Sequence, residues 1–304
     1  MIAKQFANDA SAVVYNGDCL QLMASMPDQS MQLIVTSPPY NIGKPYETKL
    51  SLPDYVEQQR KVIEACARIL KGSGSICWQV GNFVDKGRII PLDIVLFPIF
   101  EKTGFQLRNR IIWHFEHGLH CSNRFSGRYE TVLWFTKSDN YKFNLDPVRV
   151  PQKYPGKRHF KGPKIGELSG NPLGKNPGDV WIIPNVKSNH VEKTTHPCQF
   201  PVELVERFVL SLTEREDWVF DPFLGSGTTV IAALKNGRRG VGSELASKYV
   251  EIARKRIAEQ QQGTLATRAM HTPVFDPQRA ANTLTTNPWK KIPDNSLQLD
   301  LIVE

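Results

Sequence analysis

The sequence predicts an α/β protein whose mainly parallel sheet carries helices on both faces. Three observations predict it. Short apolar runs alternate with stretches of helical spacing along most of the chain. The stretch 218–244 reads as strand, glycine turn, helix, strand and terminal acid. An apolar strand at 32–36 ends abruptly in Ser37-Pro38-Pro39-Tyr40. Each proline fixes φ and removes a backbone donor, and the residue before a proline is pushed towards extended geometry. The strand therefore ends in a stiff lip whose carbonyls are free to accept hydrogen bonds.

The elements follow in order. Residues 13–19 form a short strand ending in a turn, and Leu20, Met23 and Ala24 have helical spacing, stopped by Pro27-Asp28. After the lip comes a flexible polar stretch, 43–53. Asp54 is expected to cap a helix running to about Leu70, with Val56, Ile63, Ala67 and Leu70 on one face and Gly72 closing it. Strands are expected at 75–80, 110–115 and 130–135, with a helix at 91–103 between the first two. Regular structure then lapses until His196-Pro197-Cys198-Gln199-Phe200-Pro201. A helix follows with Val202, Val205, Phe208, Val209 and Leu212 on its buried side. Beyond the strand at 218–221, helices are expected at 229–236 and 246–259 around a strand at 239–244. Residues 263–304 have no clear period and are expected to form a tail.

Length and charge bound the function. A chain of 304 residues suffices for one large α/β domain or two smaller ones. No apolar run is long enough to span a bilayer, and Met1–Phe6 lacks the apolar core of a signal peptide. The expected location is the cytoplasm, in association with the nucleoid, and no membrane contact is expected. Cys19, Cys66, Cys77, Cys121 and Cys198 are scattered without a Cys-x-x-Cys pair, which argues for reduced thiols and against a disulfide framework or structural zinc. The formal net charge of +8 points to a polyanionic partner.

That charge is concentrated. Between Lys137 and Lys193 eleven Lys and Arg face five acids, in a stretch rich in Pro, Gly and Asn that also carries Tyr141, Phe143, Tyr154, Phe160 and Trp181. Such an insert suits phosphate and groove contact; the plainer reading is a long solvated loop. Lys153, Lys157, Arg158, Lys161, Lys164 and Lys187 are its candidate DNA contacts, joined by Arg124 and Arg128 from the preceding loop. His114, His117, His120 and Cys121 match no metal-finger spacing, so no metal is expected.

The 218–244 stretch has the logic of a nucleoside site. Gly225 and Gly227 let backbone approach a ligand, and Glu244, ending the next strand, suits the hydroxyls of a ribose. The turn is not Gly-x-Gly-x-x-Gly, because Val230 stands at the third position, and no Gly-Lys-Ser/Thr is present. Asp221 would repel a pyrophosphate and pair with an ammonium. The expected ligand is therefore a nucleoside bearing an amino group and no phosphate, a description that fits S-adenosylmethionine.

Thr36-Ser37-Pro38-Pro39-Tyr40 together with Asp221-Pro222-Phe223-Leu224-Gly225-Ser226-Gly227-Thr228 resembles the two signature motifs of exocyclic-amino DNA methyltransferases. The motif order matches the β group of that family, with a target-recognition region between catalytic and cofactor motifs. Gly17-Asp18, Gly178-Asp179-Val180-Trp181 and residues 196–201 match as well, so the resemblance covers about 13–260. It implies a class I methyltransferase (Rossmann-like) fold with a seven-stranded sheet entered at a permuted point. The organisation implied is a catalytic half at 1–136, a target-recognition region at 137–193, a cofactor-binding half at 194–262 and a tail at 263–304. By the same resemblance Asp18 and Cys19 meet the adenine end of S-adenosylmethionine, and Asp221 approaches its methionine amino group. Pro222, Phe223, Gly225, Gly227, Thr228 and Thr229 line the pocket, and Glu244 holds the ribose. His196, Pro197, Gln199 and Phe200 close over it, and Ser37 borders it.

At the lip, Ser37 Oγ and the Pro38 carbonyl can accept the two hydrogens of an exocyclic amino group, held in place by Pro39, while Tyr40 stacks on the base. The base must leave the duplex to reach them. In the family Ser at the first position usually accompanies N4-cytosine methylation and Asp or Asn N6-adenine, so N4 of cytosine is the expected target and N6 of adenine the alternative. A C5-cytosine mechanism through Cys198 is disfavoured, since that cysteine precedes the cofactor loop instead of following it. RNA or protein-glutamine methylation and a non-catalytic DNA-binding module are more distant alternatives. The expected setting is restriction-modification or epigenetic, and the expected partners are double-stranded DNA and, in the first case, a separately acting restriction endonuclease, with the chain a monomer or homodimer.

Overall fold

The computed structural model describes residues 2–41, 43, 49–116, 118, 120–187 and 189–274. Its strands are β1 (Ile2–Ala3), β2 (Ala12–Asn16), β3 (Met31–Thr36), β4 (Leu70–Val80), β5 (Asn82–Asp85), β6 (Arg88–Pro91), β7 (Gln106–His114), β8 (Tyr129–Thr136), β9 (Val180–Ile182), β10 (Trp218–Asp221) and β11 (Arg239–Glu244). Its helices are α1 (Cys19–Ala24), α2 (Leu52–Ile69), α3 (Leu92–Lys102), α4 (Val202–Leu212), α5 (Thr228–Lys235) and α6 (Ser247–Gln261). Residues Met1–Thr272 form one compact unit, and of the second unit, Pro273–Glu304, only 273–274 are described. Most of the expected 263–304 tail, His117 and part of the 43–53 stretch thus lie outside the described residues. Among the described residues no helix is long and apolar enough to cross a membrane.

The large sheet runs β1-β2-β11-β10-β3-β4-β8-β7-β9. Every pairing is parallel except the two made by β8, which runs against both β4 and β7. The expected seven strands are therefore β2, β11, β10, β3, β4, β8 and β7, with the two-residue β1 and three-residue β9 added at the edges. Neither β9 nor the β5–β6 hairpin is expected from sequence, because such short segments carry no periodic signal. Through β9 the basic insert is tied to the sheet, with Val180 opposite Ile112 and Trp181 opposite Trp113.

Each sheet face has its own core. Ile34, Trp78 and Phe135 pack with Leu22, Met23, Val62, Ile63, Leu96 and Phe100 from α1, α2 and α3. Leu33, Val35 and Val219 pack with Val205, Phe208, Val230, Ile231, Ala253 and Ile257 from α4, α5 and α6. Successive residues of β3 thus serve opposite faces, as a pleated strand requires. Each fully buried apolar side chain contributes about 1.5–3 kcal/mol relative to exposure, so β3 is fixed from both sides.

The expected boundaries of α2 need correction. Ser51, not Asp54, is its N-cap: Ser51 Oγ accepts from Asp54 N at 3.3 Å and donates to the Asp54 carboxylate at 2.6 Å. Nor does Gly72 close the helix. Leu70 turns extended, is fully buried and pairs with Met31, so the sheet supplies the bonds that a left-handed cap would otherwise supply.

The topology places a crevice. From β3 the chain leaves through α2 towards β4; from the neighbouring β10 it leaves through α5 towards β11 on the opposite side. Where connections diverge from adjacent parallel strands, the carboxyl ends open into a binding cleft. Here β3 delivers Thr36 and the lip, and β10 delivers Asp221 and the glycine turn.

Candidate active site

The two motifs are bonded to each other beneath the cleft. Thr36 Oγ1 donates to Asp221 Oδ1 at 2.6 Å, and Thr229 Oγ1 donates to Asp221 Oδ2 at 2.7 Å. The backbone N–H of Phe223 also donates to Oδ1, at 3.0 Å. Asp221 has no exposed surface and is absent from the cleft wall. Burial pushes its carboxyl up to about 6 against the three hydrogen bonds that oppose the shift. This corrects the expected pairing with an ammonium: the carboxylate is spent on joining β3 to the start of α5. Thr229 likewise serves that junction and not the pocket.

Above the junction lies a cleft of about 340 Å³. One end is lined by Gly17, Asp18, Cys19, Pro222, Phe223, Gly225, Thr228 and Glu244, and closed by His196, Pro197, Cys198, Gln199 and Phe200. Asp18 caps α1, accepting from Leu20 N at 2.6 Å. Glu244 accepts from Gly225 N at 3.0 Å and Ala246 N at 2.8 Å, so the carboxylate is locked against the turn while still facing the cleft. Burial raises its carboxyl above the usual range. Gly225 has φ of +52°, and a Cβ there would come within 3.2 Å of the His196 ring. Gly227 does not line the cleft. Its φ is +86°, and a Cβ there would meet the Ala253 backbone at 3.1 Å, so it serves the α5–α6 contact. The cleft residues fit a nucleoside with a ribose: an oriented carboxylate at a strand end, a side-chain-free turn and an aromatic ring lie together.

The closing loop is held from below. Gln199 Nε2 donates to Glu192 O at 2.8 Å, and its Oε1 accepts from Thr194 Oγ1 at 2.9 Å. Glu192 itself is buried and accepts from Val202 N at 2.9 Å, at the start of α4. His196 sits edge-on to Tyr249, with centroids 4.4 Å apart. Burial drops its imidazole to about 4, so it is neutral near pH 7. Burial also pushes the Cys19 thiol up to about 12, which keeps it protonated.

The other end of the cleft is lined by Ser37, Pro38, Pro39, Tyr40, Gln79, Trp113, Phe115, Glu130 and Lys187. Ser37 Oγ lies 3.1 Å from the Tyr40 hydroxyl, which donates to Glu130 Oε2 at 3.2 Å. Gln79 Nε2 donates to the same Glu130 oxygen. Burial raises the Glu130 carboxyl, and burial together with the charge of Glu130 holds the Tyr40 hydroxyl well above its ordinary value. Glu130 and Gln79 are not singled out in the sequence. The signal that could have found them is a polar residue within otherwise apolar strands, at Cys77-Trp78-Gln79-Val80 and at Glu130-Thr131-Val132.

The candidate DNA contacts divide. Arg124, Lys153, Lys157, Arg158, Lys161, Lys164 and Lys187 are exposed, and Arg128 is half-buried. Arg158 is engaged within its loop, donating to Gly166 O at 2.5 Å. Lys187 alone among them lines the cleft.

Comparison with known proteins matches residues 31–255 to the DNA methylase family of N6 and N4 enzymes. The chain belongs to that family. It is 55% identical over 241 residues to the Type II methyltransferase M.BglII of Bacillus subtilis, covering 79% of this chain and 67% of that protein. It is 38% identical to the Type II methyltransferase M.ScaI of Streptomyces caespitosus, over 86% of each chain. To the DNA adenine methyltransferase YhdJ of Escherichia coli it is 30% identical, over 83% and 84%. The fold superposes on the cytosine-N4-specific PvuII DNA methyltransferase with a TM-score of 0.65 at 24% identity, covering 84% and 93%. The protein TTHA0409 of Thermus thermophilus in complex with S-adenosyl-L-methionine gives 0.57 at 27% identity, covering 81% and 93%. S-adenosylmethionine is the cofactor of this DNA methyltransferase.

Proposed function

We propose that this enzyme methylates the exocyclic N4 of a cytosine flipped into the cleft, within a restriction-modification setting. The observation that carries the reading is the shared cleft: Ser37 and Tyr40 stand in the same cavity as Glu244, Gly225 and Phe223. Bound there, S-adenosylmethionine would supply an electrophilic methyl group on a cationic sulfur. Glu244 would hold its ribose hydroxyls, Asp18 and Cys19 would flank its adenine, and residues 196–200 would exclude water around it. Asp221 acts one layer below, fixing the distance between lip and turn through Thr36 and Thr229.

The amino group of a base is a poor nucleophile because its lone pair is delocalised into the ring. Ser37 Oγ and the Pro38 carbonyl would accept its two hydrogens and turn the lone pair out of the ring plane towards the methyl. The rate enhancement comes from positioning and fixed dipoles. Tyr40 would stack on the base. Lys187 would meet the backbone at the mouth, and the exposed cations of 153–164 would contact phosphate further out. The Ser37 hydroxyl supports cytosine N4. The likeness to YhdJ, described as an adenine methyltransferase, supports adenine N6 as the second reading. The relatives described as Type II methyltransferases support a separately acting endonuclease partner.

Incubating unmethylated plasmid DNA with the enzyme and S-adenosylmethionine, then identifying digested nucleosides by mass spectrometry, tests the reading. N4-methylcytosine is expected. N6-methyladenine would replace it with the second reading, and no methylated nucleoside would overturn both.

A further inference from the structure

Methyl transfer to an amino nitrogen leaves a proton to be removed, and the lip holds a route for it. The Tyr40 hydroxyl donates to Glu130, so its oxygen is left to accept from Ser37. With the Ser37 proton pointing at Tyr40, both Ser37 lone pairs face away from that bond and are available to a donor in the cleft. The three groups come from two segments: Ser37 and Tyr40 from the lip, and Glu130 as the second residue of β8. Gln79 on the adjacent β4 fixes the carboxylate by donating to the oxygen that Tyr40 uses. The oxygen–oxygen spacings of 3.1 and 3.2 Å are slightly long, as is common for catalytic hydrogen bonds before substrate binds.

We infer that Ser37, Tyr40 and Glu130 form a directional proton wire, with the Glu130 carboxylate as the final acceptor of the proton released from the methylated amino group. The inference rests on the proposed transfer to an exocyclic amino group at this lip. The balance is simple. The amino nitrogen forms a bond to the methyl carbon and becomes cationic. It then gives one N–H proton to Ser37 Oγ, Ser37 passes its hydroxyl proton to Tyr40 Oη, and Tyr40 passes its own to Glu130 Oε2. The nitrogen ends neutral, Ser37 and Tyr40 end as hydroxyls, and Glu130 ends as a carboxylic acid that returns the proton to solvent through the cleft it lines.

Electrostatics favours this direction. Burial makes Glu130 a stronger base than a surface carboxylate, and Lys187 moderates that shift. Tyr40 is held protonated by its burial and by Glu130, with Cys198 acting in the same sense. It therefore relays a proton instead of storing a charge. Among the described residues the groups facing Glu130 are Tyr40 from the lip, the uncharged Gln79 from β4, the uncharged Trp113 opposite it on β7, and Lys187 from the loop after β9. One carboxylate therefore governs the pH response.

The test uses the full-length protein, tritiated S-adenosylmethionine and unmethylated plasmid DNA, comparing wild type with Glu130→Gln and Tyr40→Phe. Glutamine still accepts from Tyr40 but takes no proton, and phenylalanine keeps the ring while breaking the wire. Both variants should lower the single-turnover transfer rate by roughly 10²-fold, the lower range for lost general-base catalysis. Cofactor and DNA dissociation constants should stay within about threefold of wild type. The wild-type rate should fall on its acid limb as Glu130 becomes protonated, and that limb should vanish in Glu130→Gln. A Glu130→Gln enzyme with wild-type rate and pH profile overturns the wire. So does one whose only defect is weakened DNA binding, which would make Glu130 a base-recognition group. Failure of the wild type itself to label DNA would instead strike the proposed function.

Discussion

At one end of the cleft, Glu244 and Gly225 lie 19 residues apart, and the Gly225 N–H donates to the Glu244 carboxylate at the tips of neighbouring strands. At the other, Ser37, Tyr40, Gln79 and Glu130 converge from three strand ends, and the last pair spans 51 residues. The first end has a local centre, since the Gly225 turn and Glu244 belong to one strand–turn–helix–strand unit, to which Gly17, Asp18, Cys19 and the 196–200 loop add the rest of the lining. The second depends on the reversed strand β8 bringing an acid to the lip. In the proposed mechanism, holding the donor thus falls to a compact motif, and activating the acceptor to an assembly of distant side chains. Asp221 belongs to both, since its oxygens bond Thr36 on one side and Thr229 on the other.

Substitutions separate the ends. Ser37→Ala removes an acceptor for the amino group and the first member of the wire, and should reduce single-turnover methylation by about 10²–10³-fold. The rate of tritium transfer to DNA measures this. Asp221→Ala breaks the separation, because it strands two threonine hydroxyls and the Phe223 N–H. A loss of roughly 3 kcal/mol in a urea titration is expected, with both cofactor affinity and turnover impaired. Glu244→Gln acts at the donor end alone and should weaken cofactor binding about tenfold, near 1.4 kcal/mol, as read by calorimetry.

Two smaller effects sharpen the contrast. Asp221 binds its proton more readily when folded, with its value raised from 3.8 to about 6. Between those values the native state holds more protons than the unfolded state, so its contribution to stability falls as pH rises through the window. Asp221→Asn cannot ionise and should gain on wild type across that window, levelling off above about pH 6, in denaturant titrations at each pH. Outside the cleft lining, Lys157→Ala with Lys161→Ala should flatten the salt dependence of DNA binding by about one to two counterions and leave cofactor affinity unchanged. Lys161 is preferred to Arg158 for this test because the Arg158 guanidinium also holds its own loop.

Much of this contrast was legible in the chain. The alternation of apolar runs gives the parallel sheet, and the strand–glycine–acid spacing at 218–244 gives the donor end, because both are short-range patterns. What was not legible depends on neighbours distant in sequence. Asp221 reads as a ligand group, since a carboxylate at a glycine turn faces a ligand unless something else claims it; Thr36, 185 residues away, does so. Gly227 reads as a pocket glycine, but the close passage of α6 at Ala253 explains it. Glu130 reads only as the first residue of an expected strand, and the antiparallel pairing of β8 with β4 brings it to Gln79 and the lip. β9 escapes notice because three residues carry too little pattern, although its pairing ties the basic insert to the sheet.

The most direct test of the division between the two ends is a calorimetric titration of Ser37→Ala with S-adenosylmethionine, beside wild type and Glu244→Gln. The expected dissociation constant for Ser37→Ala lies within about threefold of wild type, with only Glu244→Gln weakened about tenfold. A Ser37→Ala variant that loses cofactor affinity as severely as Glu244→Gln would contradict that division, because the lip would then be holding the donor as well as activating the base.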